Sequence, residues 1–412
     1  MPLLTTDAAL SLTDIALIAA ALGFAVVLFS PRVLKSRRWR ATVTPLASII
    51  GSGFLVAGPI LSHVAGNYAW AAMLFLCGTA YLFGAAVRHN IAHVEGALAN
   101  DGTLFARRLE RVSEIALSLA YFISIAYYLN LFAAFGLRLG DITAAYWVRI
   151  TATCVIGAVG VVGVTGGLTA LEHLEIGAVD LKLAVIGGLF VALTLANSAA
   201  LVQSAPLWSP THHDRGVDEL RILLGLVILV QGFETSRYLG AEYDGPTRVR
   251  TMQWAQWLSS GIYLAFILLV THYFTGSLPR EGGETAIIDM LRPVGIAVAP
   301  MLITIALASQ LSAAVADMNG AGGLIAETSG ARLSANLGHL IAALVAIAIT
   351  WAANIYEIIT YASRAFVIYY ALQSFQAMRS AWDMNMRGRA ALFAFAVLLA
   401  VVIVIFAEAV KA

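Results

Sequence analysis

Six charged side chains fall inside apolar runs: Lys182, Arg237 and Arg364, with Asp180, Glu234 and Asp317 at comparable depth. Charge in hydrocarbon is costly, so each needs a partner or a watery path. Glu234 directly follows Gln231-Gly232-Phe233, where a glycine stands beside polar residues. An earlier apolar run carries a second such cluster at mid-span, Ile50-Gly51-Ser52-Gly53. Glycine weakens a helix, and a freed N–H or C=O cannot be left facing lipid. A break of this kind is stable where its peptide groups face a cavity and bind something; the plainer alternative is close packing of helices through small residues. N–H groups at Gly51, Ser52 and Gly53, at the start of a half-helix, suit a carboxylate. Carbonyls near Val230, Gln231 and Gly232 suit an ammonium. Two opposed breaks therefore fit a ligand bearing both charges on adjacent atoms.

The neighbouring side chains admit two readings each. Phe233 either covers a ligand as a gate or packs. Glu234 either carries a proton and answers to substrate, or pairs with Arg237 one helical turn on. Arg364 binds an anionic side chain of a ligand, pairs with an acid such as Glu234 or Asp317, or points to the inside. Lys182 holds a fixed charge inside or snorkels to the near surface. Ser309 and Ser312 fit ordinary helix packing or a bond to a carbonyl one turn back. Asp317 and Asn319 lie towards one exit. Cys77 and Cys154 read as small apolar residues. His212-His213 lacks a third ligand nearby and reads as solvated loop. No nucleophile motif, metal-ligand spacing or nucleotide loop occurs, which argues against an enzyme and against a metal or other cofactor.

The elements that position these residues are membrane helices. The chain is 60% hydrophobic and 12% charged, with mean hydropathy +0.83. Apolar runs near the length needed for about 30 Å of hydrocarbon recur throughout. Spans are expected near 11–30, 42–62, 68–88, 112–136, 145–165, 176–197, 220–239, 253–274, 288–316, 337–353, 356–376 and 390–408. Loops that would lie inside if the N-terminus is outside hold 15 Lys and Arg, against 7 on the other side. The positive-inside rule then puts both termini outside. A net charge of +1 with no basic stripe gives no sign of nucleic acid.

The two glycine clusters are five spans apart, an odd number, so their helices run in opposite directions. That is the pattern of two five-helix units with inverted topology, whose first helices unwind opposite each other. The expected division is 1–40 for a peripheral helix and basic loop, 41–197 for the first unit and 198–219 for an outside loop. The second unit takes 220–376, and 377–412 a loop and a peripheral C-terminal helix.

Gly51-Ser52-Gly53-Phe54 and the small residues after it resemble the first core helix of the amino acid–polyamine–organocation (APC) superfamily. Gly232-Phe233-Glu234 and then Gly240-Ala241-Glu242-Tyr243-Asp244-Gly245-Pro246-Thr247-Arg248 resemble its sixth core helix and following loop. The resemblance runs from about Ala41 to Ala412. It departs from the family in an extra N-terminal helix, in Arg237 and Arg364, and in a short chain. It implies an all-α polytopic membrane protein of about 12 transmembrane helices, with a LeuT-like core and one extra helix at each end. It implies substrate binding at Ile50, Gly51, Ser52, Gly53, Val230, Gln231, Gly232 and Phe233, with coupling or gating at Lys182 and Glu234; Arg237 and Arg364, where the chain departs from the family, join them as coupling or gating candidates on their charge at this depth. Sodium-independent members place a lysine where relatives bind sodium, and Lys182 fits that place. The function implied is secondary transport of an amino acid or small amine across a bacterial inner membrane, coupled to protons. The alternatives are uptake of an inorganic cation such as potassium, or a sensor that keeps the fold. The Asp-Pro-Gly-Asn and Met-Pro-His breaks of the natural-resistance metal transporters are absent.

Overall fold

The computed structural model describes residues 10–101, 103–165, 169–202, 216–274, 277–279, 281–330 and 332–411. Among them there is helix and no strand. The long helices are α1 (Leu12–Leu28), α2 (Arg37–Ala65), α3 (Ala69–His93), α4 (Leu104–Leu137), α5 (Ala145–Thr165) and α6 (Thr169–Val202). After a short helix, α7 (Val217–Leu224), come α8 (Gly245–Val270), α9 (Val298–Thr328), α10 (Ala335–Ala352), α11 (Ile355–Asp383) and α12 (Arg387–Phe406). Every expected span overlaps helical structure, and eight described stretches are long and apolar enough to cross a membrane. One of those eight, Arg37–His93, contains both α2 and α3. His212 and His213 lie outside the described residues.

Helix ends follow local chemistry. Ser36, Thr103 and Ser334 accept the N–H of the third residue on and start α2, α4 and α10. Asn354 and Glu357 form a reciprocal cap on α11. Asp244 with Pro246 opens α8.

The centre is made by α4 packed on α9, flanked by α5 on α10, α3 on α8, and α2 on α8. The basic end of this bundle gathers residues near Arg37, Glu95, Glu242 and Thr328; the opposite end gathers Thr143, Glu284, Tyr356 and Lys411. Loops assigned to one side of the membrane therefore meet at one end of the molecule.

The helix α1 is firmly seated. Gly187 and Gly188 of α6 leave no room for a Cβ, since Phe24, Leu17 and Ala21 of α1 press against them. Buried Asp14 accepts a hydrogen bond from Ala297 N at 2.9 Å, and Thr13 donates to the Val294 carbonyl.

The seventh segment is broken. After α7 come two 3-10 turns, Val227–Val230 and Phe233–Ala241, separated by Gln231 and Gly232. Gly232 takes φ +119°, open to glycine and strained for other residues. The freed peptide groups find side chains. Ser363 Oγ accepts from Ile228 N at 2.9 Å and donates to Gly225 O at 2.7 Å. Tyr263 OH points at Leu229 O, and Thr235 Oγ1 donates to Gly232 O.

The first cluster behaves differently, and this corrects the expectation of a second break. α2 is helical from Arg37 to Ala65, through Ile50, Gly51, Ser52 and Gly53. Its glycines serve contact: a Cβ on Gly53 would lie 2.6 Å from Leu229 Cα, and one on Gly51 would touch Ala313. The small residues admit the broken segment and α9 against α2, so the helix has no need to unwind there. The side chain of Ser52 lies outside the described residues.

Candidate functional site

Between α2, the broken segment, α4, α9 and α11 lies a polar seam walled by aromatic rings. Three alternate carbonyls of α2 each take a donor from another helix. Lys182 Nζ of α6 donates to Ala47 O at 3.1 Å, Tyr263 OH of α8 to Ile49 O at 2.9 Å, and Gln310 Nε2 of α9 to Gly51 O at 3.2 Å. Lys182 is 3% exposed, so it stays inside and does not snorkel to the surface.

The break faces this helix. Gln231 Nε2 donates to Tyr128 OH at 3.0 Å. Glu234, 1% exposed, accepts from Gly232 N at 3.0 Å and from Tyr370 OH at 2.7 Å. Phe233 is buried beside Val230 and stacks on Tyr370 at 4.9 Å between centroids, with Phe83 on Tyr370 at 5.3 Å. Its ring is the wall of the seam.

Asp317 belongs here as well, and not at an exit. It is buried on α9, accepts a hydrogen bond from Ser124 Oγ of α4, and interacts electrostatically with Glu234. No ion pair reaches either carboxyl among the described residues. Ser309 is also buried, its hydroxyl without a hydrogen bond among the described residues; Ser312 is half-buried.

Two arginines stand outside this cluster. Arg237 does not pair with Glu234. It turns to the basic end, with Nη2 2.7 Å from Glu110 Oε1 and Nε 3.4 Å from Glu95 Oε1. Arg248 Nη2 meets Glu95 Oε2 at 2.6 Å and its Nη1 donates to Arg237 O at 2.9 Å. Two guanidinium groups and two carboxylates thus tie the broken segment to α4, α8 and the short helix Glu95–Asp101. Among the described residues Arg364 pairs with no acid, and it does not reach the seam; it donates to Ala407 O at the opposite end. Asp180 accepts from Trp39 Nε1 at 3.2 Å.

The structure thus gathers Ile50, Gly51 and Gly53, the segment Val230 to Glu234, and Lys182, and separates Arg237 and Arg364 from them. Sequence reasoning placed Asp317 towards an exit and missed its partner Ser124, with Tyr370, Tyr263 and Gln310. No local pattern marks them, because they reach the seam from four helices, α4, α8, α9 and α11. Among the described residues no group of three or more His, Cys, Asp or Glu could hold a metal ion.

An uncharacterized protein of Aquifex aeolicus (strain VF5) is 37% identical to this chain over 406 residues, covering 98% of each. Three crystal structures of mutants of the Eremococcus coleocola manganese transporter share the fold. Each has a TM-score of 0.55 at 14% identity, over 90% of this chain and 87% of the other. A family model described as an APC superfamily transporter matches residues 31–407. With that match over nearly its whole length, the chain belongs to the APC superfamily transporters.

Proposed function

We propose that this transporter moves an amino acid or related small amine by alternating access, driven by protons and independent of sodium. Its setting on this reading is a bacterial inner membrane, with both termini outside. The observation that carries the proposal is the pair of buried carboxyls, Glu234 and Asp317, beside a glycine break, with no ion pair among the described residues. Negative charge held away from water needs a counter-charge. A substrate ammonium supplies one, and a proton supplies another when substrate leaves. Lys182 supports sodium independence, because its ammonium already occupies the Ala47 carbonyl. Gln231, Gly232 and Phe233 then bind substrate from one side and α2 at Ile50, Gly51, Ser52 and Gly53 from the other. Since α2 stays helical, its contribution is a close-packed wall more than open N–H groups.

The helix pairings support two inverted units over 41–197 and 220–376. α3 on α8, α4 on α9 and α5 on α10 join helices that hold equal places in the two halves. Arg237 and Arg248, with Glu95 and Glu110, serve as the gate at the basic end, while Arg364 fastens α11 to the C-terminal segment. Likeness in fold to a manganese transporter at 14% identity favours no metal here.

Proteoliposomes with an imposed pH gradient test the reading, using labelled amino acids, small amines, rubidium and manganese. Saturable uptake of an amino acid or amine is expected, without sodium. Lys182→Ala should lower it on the order of tenfold or more, the scale of a hydrogen bond to a charged group. Uptake of rubidium or manganese with no response to amines would overturn it.

A further inference from the structure

We propose that the groove between α2 and α8 at the basic end binds one anionic phospholipid, its phosphate on Arg38 and Arg250 and an acyl chain along Leu258. Two adjoining hollows, of about 110 and 320 Å³, make the groove, and Arg38 and Trp254 line both. The first adds Thr247 and Arg250; the second adds Trp39 and Leu258. α2 starts at Arg37 and α8 at Gly245, both at the basic end, and the two helices pack together.

The groove is graded along the helix axis. Arg250, Trp254 and Leu258 follow one another at four-residue intervals, on one face of α8. At about 1.5 Å of rise per residue, Leu258 lies about 12 Å further along α8 than Arg250. Both arginines, Trp254 and Leu258 are exposed. Cation, indole and aliphatic chain in that order suit a lipid lying from the membrane surface inward, with its phosphate outermost and the indole at headgroup level.

Charge complementarity names the occupant. Among the described residues neither guanidinium has an ion pair or a hydrogen bond, and no acid lines either hollow. Two acids touch residues of the lining, and both are engaged. Asp244 accepts a hydrogen bond from Thr247 and is attracted by Arg37. Asp180 is buried and accepts from Trp39 Nε1 at 3.2 Å. Residues 31–40 add Arg32, Lys35, Arg37 and Arg40 and no acid, a basic cluster beside a membrane helix of the kind that draws anionic lipid. A zwitterionic headgroup would set its own ammonium against these guanidinium groups. Another hollow at the same end provides the contrast. Arg107, Arg108 and Arg111 line it together with Glu110, Glu114 and Glu327, so its charges are met within the protein. A lipid in the α2–α8 groove spans two helices that Tyr263 and Ile49 O join deeper in the membrane. The site does not depend on what the transporter carries.

The test uses the full chain in an uncharged detergent. Native mass spectrometry counts bound lipid, and thermal unfolding reads its effect. Phosphatidylglycerol is compared with phosphatidylcholine of the same acyl chains, and should bind by about tenfold or more the tighter and raise the unfolding temperature. Each arginine near an anionic lipid contributes about fivefold in affinity, so Arg38→Gln/Arg250→Gln should weaken phosphatidylglycerol binding on the order of thirtyfold. Arg38→Gln alone should cost about fivefold and decides the matter if the double variant fails to fold. Arg107→Gln/Arg108→Gln removes as much charge from the same end and should leave binding nearly unchanged. Sodium phosphate and glycerol 3-phosphate offer the anion without the chains, and should neither stabilise the protein nor displace the lipid. Equal binding of the two lipids, or equal losses from the two double variants, would overturn the proposal. Displacement by free phosphate would overturn it too, and mark a site for a soluble anion.

Discussion

Arg237→Ala is expected to lower stability by about 3–5 kcal/mol, the usual cost of breaking a buried ion pair from one side. The side chains of Arg237, Glu110 and Glu95 are 8%, 16% and 24% exposed, so solvent screens them little. Without the guanidinium, Glu110 loses its one ion pair among the described residues, and Glu95 retains only Arg248. The measurement is thermal unfolding in detergent. Removing the acid as well, in Arg237→Ala/Glu110→Ala, should restore part of the loss and give a coupling energy of about 1–3 kcal/mol. Arg237→Lys should fall between, because one ammonium cannot address two carboxylates as a planar fork does. A single alanine variant within about 0.5 kcal/mol of the native protein would show the cluster to be ornamental.

Gly232→Ala should be comparably severe, and for a different reason. The backbone at φ +119° strains any residue with a Cβ, by about 1–3 kcal/mol. The added carbon would also lie 2.7 Å from Ile49 N on α2, an overpacking cost of about 1–3 kcal/mol more. α2 and the break would have to part where Gln231, Glu234 and Tyr263 converge, so uptake should be lost even in protein that still assembles. Gly53→Ala tests the same contact from the other side, against Leu229 Cα at 2.6 Å. Gly78→Ala is the control: nothing lies within 4 Å of its Cβ position, and its effect should stay within about 0.5 kcal/mol. Equal behaviour of Gly232→Ala and Gly78→Ala would refute the account of the break.

What was legible in the sequence is what hydropathy and backbone chemistry govern locally. Apolar runs located the helices because the cost of exposing peptide groups to lipid leaves few other structures. The break at Gly232 was legible because Gln231 and Glu234 flank it, and a polar pair beside glycine has a reason to leave the helix. Gly51 and Gly53 carry the same backbone freedom but spend it on close approach, and only the neighbouring helix decides between those uses. Asp317 was misplaced through a boundary: its span was expected over 288–316, whereas α9 runs Val298–Thr328 and carries the residue well inside. Arg237 was ambiguous because Glu234 was the only partner in view. Its actual acids, Glu95 and Glu110, come from the other half of the chain, beyond any pattern that local spacing records.

The clasp between Asp14 and Ala297 has a consequence for how the chain is made. The two residues are 283 positions apart. At the ordinary pace of synthesis, about 5–20 residues per second, roughly 15–55 s pass between the emergence of one and the other. For that interval the first helix sits in the bilayer with one carboxylate oxygen unanswered, and the groove of Gly187 and Gly188 that receives it does not yet exist for most of the wait. α1 is therefore seated only after Ala297 has been made. Its full docking reports that synthesis has passed Ala297, so this contact closes late in assembly.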